Sequence, residues 1–310
     1  MAQSSVLRIG SRGSPLALAQ ARAVRDRLAA AHGVDAERIV IEAIRTTGDR
    51  IQDRPLAEAG GKGLFTKEIE DALLAGTIDL AVHSAKDVPT VLPPGLVLSA
   101  FLPREDARDV FISRKAKTLA DLATSAVVGT ASLRRQAMVK RLRPDLVVKT
   151  FRGNVETRLR KLDEGQADAT LLALAGLKRL GLADIAVTIL SVDEFLPAVG
   201  QGAIAIETRA DDAATRALVA AVDDADTACA LAAERAFLAV LDGSCRTPIG
   251  GHATLAGDHL HFRGLIVRPD GSEAHEATRT GTRAQAAALG ADAGRELKSR
   301  AGENFFAEDL

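Results

Sequence analysis

Two short runs carry residues that could do chemistry. In Leu241-Asp-Gly-Ser-Cys-Arg-Thr-Pro-Ile-Gly-Gly251, Cys245 sits among small, turn-forming residues. A thiol near cationic side chains ionises more easily and becomes a better nucleophile or attachment point. Taken alone, the segment also fits a buried structural cysteine. The second run is Leu80-Ala-Val-His-Ser-Ala-Lys-Asp-Val-Pro89. An apolar strand delivers His83, Ser84, Lys86 and Asp87 to its C-terminal end, where open α/β sheets place ligands. Asp87 could stabilise a developing cation or move a proton. Lys86 could hold a carboxylate and lower the pKa of a neighbouring thiol or acid. The plainer alternatives are a surface Lys–Asp neighbour pair and a hydrogen-bonded core histidine at 83.

A third kind of site repeats along the chain: a turn that opens a helix and carries arginine. Gly10-Ser-Arg-Gly-Ser-Pro-Leu-Ala follows the first strand, with Ser14 as an N-cap and Pro15 in the first helical position. Free backbone N–H groups and the helix dipole then favour an anion, with Arg12 alongside. Val127-Val-Gly-Thr-Ala-Ser-Leu-Arg-Arg-Gln repeats the construction, with Ser132 as cap and Arg134 and Arg135 in the first turn. Positive charge there opposes the dipole, so two adjacent arginines need an anion to offset them. Phe151-Arg-Gly-Asn-Val-Glu-Thr-Arg adds Arg152 before a cap at Asn154 and Arg158 one turn inside. Lys178 and Arg179 lie beside a further Gly-containing turn. Together these turns point to a ligand with several carboxylates or phosphates. The glycines around Lys62, in Glu58-Ala-Gly-Gly-Lys-Gly-Leu-Phe-Thr-Lys67, follow a polar stretch without clear period, which reads as a lid over such a ligand.

The elements that must position these groups alternate. Strands are expected near 6–9, 39–45, 80–83, 96–101, 110–112, 126–128, 146–150, 169–172, 188–191 and 202–208. Helices are expected over 15–31, 66–75, 133–143 and 155–164. Short apolar strands alternating with helices read as α/β with largely parallel sheets. A stretch with a Pro and a charge cluster at 101–109 and a second Pro-containing stretch at 195–202 are candidate hinges, as expected of two domains with a cleft between them. From about 224 the chain reads as a small α+β domain: a long helix ending near 241, strands at 253–256 and 261–267, and a helix around 284–299.

Composition bounds the function. A chain of 310 residues can form two or three domains, and 47% hydrophobic content with a net charge of −1 describes an ordinary soluble protein. No global basic excess argues for nucleic acid, and the absence of Trp and Tyr, with only 9 Phe, leaves few stacking platforms. The bases are 30 Arg and 10 Lys, which suits bidentate carboxylate binding and equally fits a biased genome. Two cysteines make neither a disulfide framework nor a CxxC site, and the six histidines lack ligand spacing, so no metal is expected. No apolar run suggests a membrane span, and a cytoplasmic location is the expectation.

The six motifs quoted around Arg12, Lys62, Asp87, Arg134, Arg152 and Cys245 occur in one order along the chain, and in that order the sequence resembles the porphobilinogen deaminase (hydroxymethylbilane synthase) family. The resemblance implies a transferase of tetrapyrrole biosynthesis. Such an enzyme condenses four porphobilinogen molecules head to tail onto a dipyrromethane primer and frees hydroxymethylbilane by hydrolysis. It implies that Cys245 carries the dipyrromethane cofactor as a thioether and that Asp87 is the catalytic carboxylate, with Lys86 and Ser84 beside it. Thr130, Ser132, Arg134, Arg135 and Arg152 match cofactor-binding positions. Arg12, Ser14, Arg152, Arg158 and Arg179 match substrate-binding ones. Lys62 and Phe65 fall in what resembles the active-site loop. The implied fold is two α/β domains like type II periplasmic binding proteins, at 1–102 with 202–222 and at 107–198, plus a small α+β domain at 224–310 bearing the cysteine. A monomer without nucleic-acid or membrane partners is implied. A non-catalytic binding protein for a polycarboxylate or phosphate is the competing reading, and a DNA-binding regulator a weaker one.

Overall fold

The computed structural model describes residues 7–50, 63–241, 247–302 and 305–306. In chain order these form β1 (Leu7–Arg12), α1 (Pro15–His32), β2 (Ile39–Ile44), α2 (Thr47–Arg50), α3 (Lys67–Leu74), β3 (Leu80–Ser84), β4 (Leu96–Phe101), β5 (Asp109–Ser113), β6 (Val127–Gly129), α4 (Leu133–Leu142), β7 (Val147–Lys149), α5 (Val155–Asp163), β8 (Ala169–Ala173), α6 (Leu174–Arg179), β9 (Thr188–Ile189), β10 (Ile204–Arg209), α7 (Ala213–Ala220), α8 (Ala225–Val240), β11 (Ile249–Ala256), β12 (His259–Val267), β13 (Ala274–Thr282) and α9 (Ala286–Ala301). The chain divides into two units. Among the described residues, one comprises 7–50, 63–105 and 203–228; the other comprises 106–202, 229–241, 247–302 and 305–306.

The first unit is built on a five-stranded sheet of order β2-β1-β3-β10-β4. β1 runs parallel to β2 and β3, while β10 is antiparallel to both β3 and β4. Strand alternation sends Leu80 and Val82 to one face, against Val24 and Leu28 of α1, and Ala81 to the other, against Ile69 and Leu73 of α3. α1 starts where its sequence says it should. Ser14 is extended and its hydroxyl accepts from the Ala17 N–H at 3.3 Å, with Pro15 at the first position.

The second unit repeats the layout as β7-β6-β8-β5-β9. β6 is parallel to β7 and β8, and β5 is antiparallel to β8 and β9. In both sheets the strand in the fourth place is antiparallel and is joined by chain that has visited the other unit. This is the type II binding-protein arrangement. It also corrects the expectation of largely parallel sheets: half of the strand pairs in each sheet are antiparallel, because β10 and β5 enter from a crossing rather than from a β-α-β turn.

The same unit carries a three-stranded antiparallel sheet, β11-β12-β13, with α8 and α9 packed on it. Phe237 of α8 is fully buried against Phe262, ring centroids 5.1 Å apart, over strand positions kept small by Gly251 and Gly264. Strand β13 was not expected from the sequence. It is an edge strand in which Ala277 is buried while Glu276, Thr278, Thr280 and Thr282 are exposed, so its apolar signal is too thin to read. Strand β11 begins four residues before the expected start because Gly250 and Gly251 belong to it. No described helix is long and apolar enough to cross a membrane, and no described group of His, Cys, Asp or Glu has metal-binding geometry.

Candidate active site

In the first unit, β1 ends on Arg12 and β3 ends on Ser84, on neighbouring parallel strands. The 3₁₀ turn Ala85–Asp87 follows at once, with the Ala85 N–H donating to the Ala203 carbonyl at 3.0 Å. Lys86 is exposed; Asp87 is half-buried and, among the described residues, has no ion-pair partner. Ser84 is not free to turn. The Gln20 side-chain amide, buried on α1, donates to its hydroxyl at 2.9 Å. Arg12 forks onto Asp49 of α2, its Nε 3.2 Å from one carboxylate oxygen and an Nη closing the pair. Its guanidinium also lies 4.1 Å from the Phe65 ring centroid. Burial would raise the Asp49 carboxyl, but the Arg12 hydrogen bonds and charge and the Thr46 hydroxyl outweigh it and hold the group below the usual carboxylate range. Ser14 spends its hydroxyl on the helix cap.

The second unit positions the remaining arginines. Thr130 is buried and its hydroxyl accepts from the Ser132 N–H at 3.1 Å, which shapes the turn into α4. Ser132 caps α4 by accepting from the Arg135 N–H at 3.4 Å. Arg134 and Arg135 then turn inward and are buried. Arg134 donates to Asp109 at 2.6 Å and to the Leu196 carbonyl at 2.8 Å. Arg135 donates to the other Asp109 oxygen at 2.7 and 3.2 Å and to the Leu171 carbonyl at 2.9 Å. Gln201 adds a 2.8 Å bond to the same carboxylate. Thus the anion that two helix-start arginines require is supplied first from within the chain. Asp109 is wholly buried. Burial opposes its charge, yet the two guanidinium groups hold the carboxyl far below its ordinary value.

Arg152 precedes α5, where Asn154 caps by accepting from the Thr157 N–H at 2.8 Å. Gly153 bridges them at φ 121°, a backbone angle that favours glycine, and a Cβ there would lie 2.6 Å from Thr157. Arg158 reaches back to the Gly153 carbonyl at 2.9 Å, and Arg179 donates to the Gly202 carbonyl at 2.7 Å. Glu156, the acid within this turn, is exposed. Lys62 and Cys245 lie outside the described residues; the elements flanking Cys245 in sequence are α8 and β11. Sequence reasoning missed Asp109, Gln20 and Gln201. The one signal available was an acid opening the apolar strand Asp109-Val-Phe-Ile-Ser113.

Residues 7–217 match the family model of the porphobilinogen deaminase dipyrromethane cofactor binding domain, and residues 228–299 match that of the porphobilinogen deaminase C-terminal domain. The chain belongs to the porphobilinogen deaminase family. Curated relatives named porphobilinogen deaminase agree. Those of Nitrobacter hamburgensis and Nitrobacter winogradskyi are each 70% identical over 96% of this chain and 94% of their own. That of Paracoccus denitrificans is 58% identical over 97% and 96%. Among solved structures, a periplasmic substrate-binding protein of an ABC transporter from Coxiella burnetii is 14% identical over 70% of this chain and 91% of that one, with a TM-score of 0.44.

The family's cofactor is a dipyrromethane, which bears carboxylates, and the described donors fit such a group. Two guanidinium groups against one carboxylate leave the Arg134–Arg135–Asp109 cluster one net positive charge. The Nε of Arg134 is buried without a partner. A buried donor left open in a cationic cluster is suited to an added anion.

Proposed function

We propose that this chain condenses four porphobilinogen molecules head to tail, releasing four ammonia, and frees hydroxymethylbilane by adding water. The observation that carries the reading is Asp87, a half-buried carboxylate without an ion-pair partner among the described residues, at the end of an apolar strand in a chain of this family. Loss of ammonia from an aminomethylpyrrole leaves a cationic, electrophilic carbon. Asp87 stabilises positive charge on the pyrrole nitrogens and takes part in moving the proton that the attacked ring carbon sheds. Lys86 and Ser84 hold groups beside it, with Gln20 fixing the Ser84 hydroxyl.

The dipyrromethane, attached through Cys245 as a thioether, supplies when bound the primer on which the chain is built. Its carboxylates are received by Thr130, Ser132, Arg134, Arg135 and Arg152, while Arg12, Ser14, Arg152, Arg158 and Arg179 receive those of the incoming unit. Lys62 and Phe65 belong to a loop that closes over the site. Covalent attachment removes a repeated association cost between additions. Residues 1–102 with 202–222, 107–198 and 224–310 act as three domains. The enzyme works as a cytoplasmic monomer and needs no metal, nucleic acid or membrane.

Intact-protein mass tests the reading. The wild-type chain is expected to carry an adduct of two porphobilinogen-derived units, absent from Cys245→Ala. An active wild-type protein of unmodified mass would end it.

A further inference from the structure

Behind the Asp87 turn lies a buried acid–histidine cluster that the reaction as described does not use. Strand alternation puts Ala81 and His83 of β3 on the face covered by α3, and the antiparallel register places Glu207 of β10 opposite Ala81 on that face. His83 Nε2 lies 3.0 Å from one Glu207 oxygen, both side chains being almost wholly buried. Glu70 of α3 is buried on the same side. One oxygen of Glu70 and the second oxygen of Glu207 are buried with no partner. Two carboxylates cannot stay charged and unpaired there; a buried polar group without a partner costs about 1–3 kcal/mol and a charged one more. A protonated carboxyl can donate where an ionised one only accepts, so a proton shared between Glu70 and Glu207 would give both oxygens a partner.

We propose that Glu70, Glu207 and His83 form one proton-sharing unit that positions the Asp87 turn. Glu70 keeps its proton and donates to Glu207, Glu207 accepts from His83, and the end of β3 is thereby pinned to β10 and α3, two residues before the turn begins. Burial, with the Glu207 charge adding to it, raises the Glu70 pKa against the opposing pull of the Thr66 hydroxyl and of His83. The charges that reach Glu70 are Glu207 on β10, His83 on β3 and Asp71 on its own helix. None of the three residues touches substrate; they act through the strand that carries Asp87. The inference rests on Asp87 being the catalytic carboxylate.

The test uses the cofactor-loaded enzyme. In Glu70→Gln the amide replaces the acid's donor, so kcat at neutral pH stays within about twofold while any alkaline loss caused by Glu70 ionisation disappears from the pH profile. Glu207→Gln removes the acceptor of His83 and is expected to lower kcat at least about tenfold with little change in KM, the pattern of a displaced catalytic group. Infrared difference spectra at neutral pH should show a protonated carboxyl band that Glu70→Gln lacks. If Glu207→Gln does not fold, Glu70→Ala takes its place and should lower kcat where Gln does not. A missing carboxyl band, or full kcat in both Glu207→Gln and Glu70→Ala, overturns the proposal. Asp87→Asn run alongside separates the two readings: full turnover there removes the Asp87 assignment, while the infrared band still decides the proton sharing.

Discussion

Replacing Asp109 by Asn keeps shape and removes the carboxylate that, among the described residues, neutralises the two buried guanidinium groups of Arg134 and Arg135. The carboxylate takes bonds of 2.6 Å from Arg134, 2.7 and 3.2 Å from Arg135 and 2.8 Å from Gln201. Breaking a buried ion pair by deleting one partner costs about 3–5 kcal/mol, because the remaining charge is left without compensation. Both arginines keep a carbonyl acceptor, at Leu196 and Leu171, which holds the loss within that range. A loss of about 4 kcal/mol is a large part of the roughly 5–15 kcal/mol that keeps a domain folded. At a urea slope of about 2–3 kcal/mol/M it moves the midpoint down by about 1.3–2 M. The assay is far-ultraviolet circular dichroism, since the chain has no Trp or Tyr for intrinsic fluorescence. The gap has a pH signature. The Asp109 carboxyl is depressed below its ordinary 3.8, so its stabilisation is fully present above that value and is lost as pH falls toward the folded-state pKa. Wild type and Asp109→Asn should therefore differ by a constant amount near neutrality and converge in acid. A midpoint within about 0.2 M of wild type at neutral pH would refute the view that this carboxylate is the arginines' principal counter-ion.

Three further outcomes follow from the same geometry. Asp87→Ala should nearly abolish turnover while leaving the unfolding free energy from urea titration within about 0.5 kcal/mol of wild type, because the side chain is half-buried and has no ion-pair partner among the described residues; steady-state turnover equal to wild type contradicts its role. In Gly290→Ala the new Cβ would lie 1.9 Å from the Ala233 carbonyl oxygen, so α9 must move off α8; a loss of about 3 kcal/mol or no soluble protein is expected, and an unchanged melting temperature contradicts the packing. Gly129→Ala would put a Cβ 2.5 Å from the buried Phe151 ring beneath the Thr130–Ser132 turn, and about 1–3 kcal/mol of destabilisation with weaker cofactor loading is expected by urea titration and intact mass.

The helix starts around the candidate site were legible in the chain because the forces that build them are local. Ser14, Ser132 and Asn154 each cap the helix that their sequence announces, since a cap is a bond across three residues and owes little to the rest of the fold. Asp87 stands at the end of its apolar strand for the same reason. The counter-ions were not legible. Arg134 and Arg135 were read as needing an anion; the carboxylate that meets them, Asp109, lies 25 and 26 positions away, and the order β7-β6-β8-β5-β9 brings it to them. His83 meets Glu207 across 124 positions through the register of an antiparallel crossing strand that no β-α-β pattern foretells. Spacing along the chain therefore determined which residues could meet an anion. Strand order and register decided which charges the protein had already met from within, because a buried charge is settled by whatever partner the sheet sets beside it.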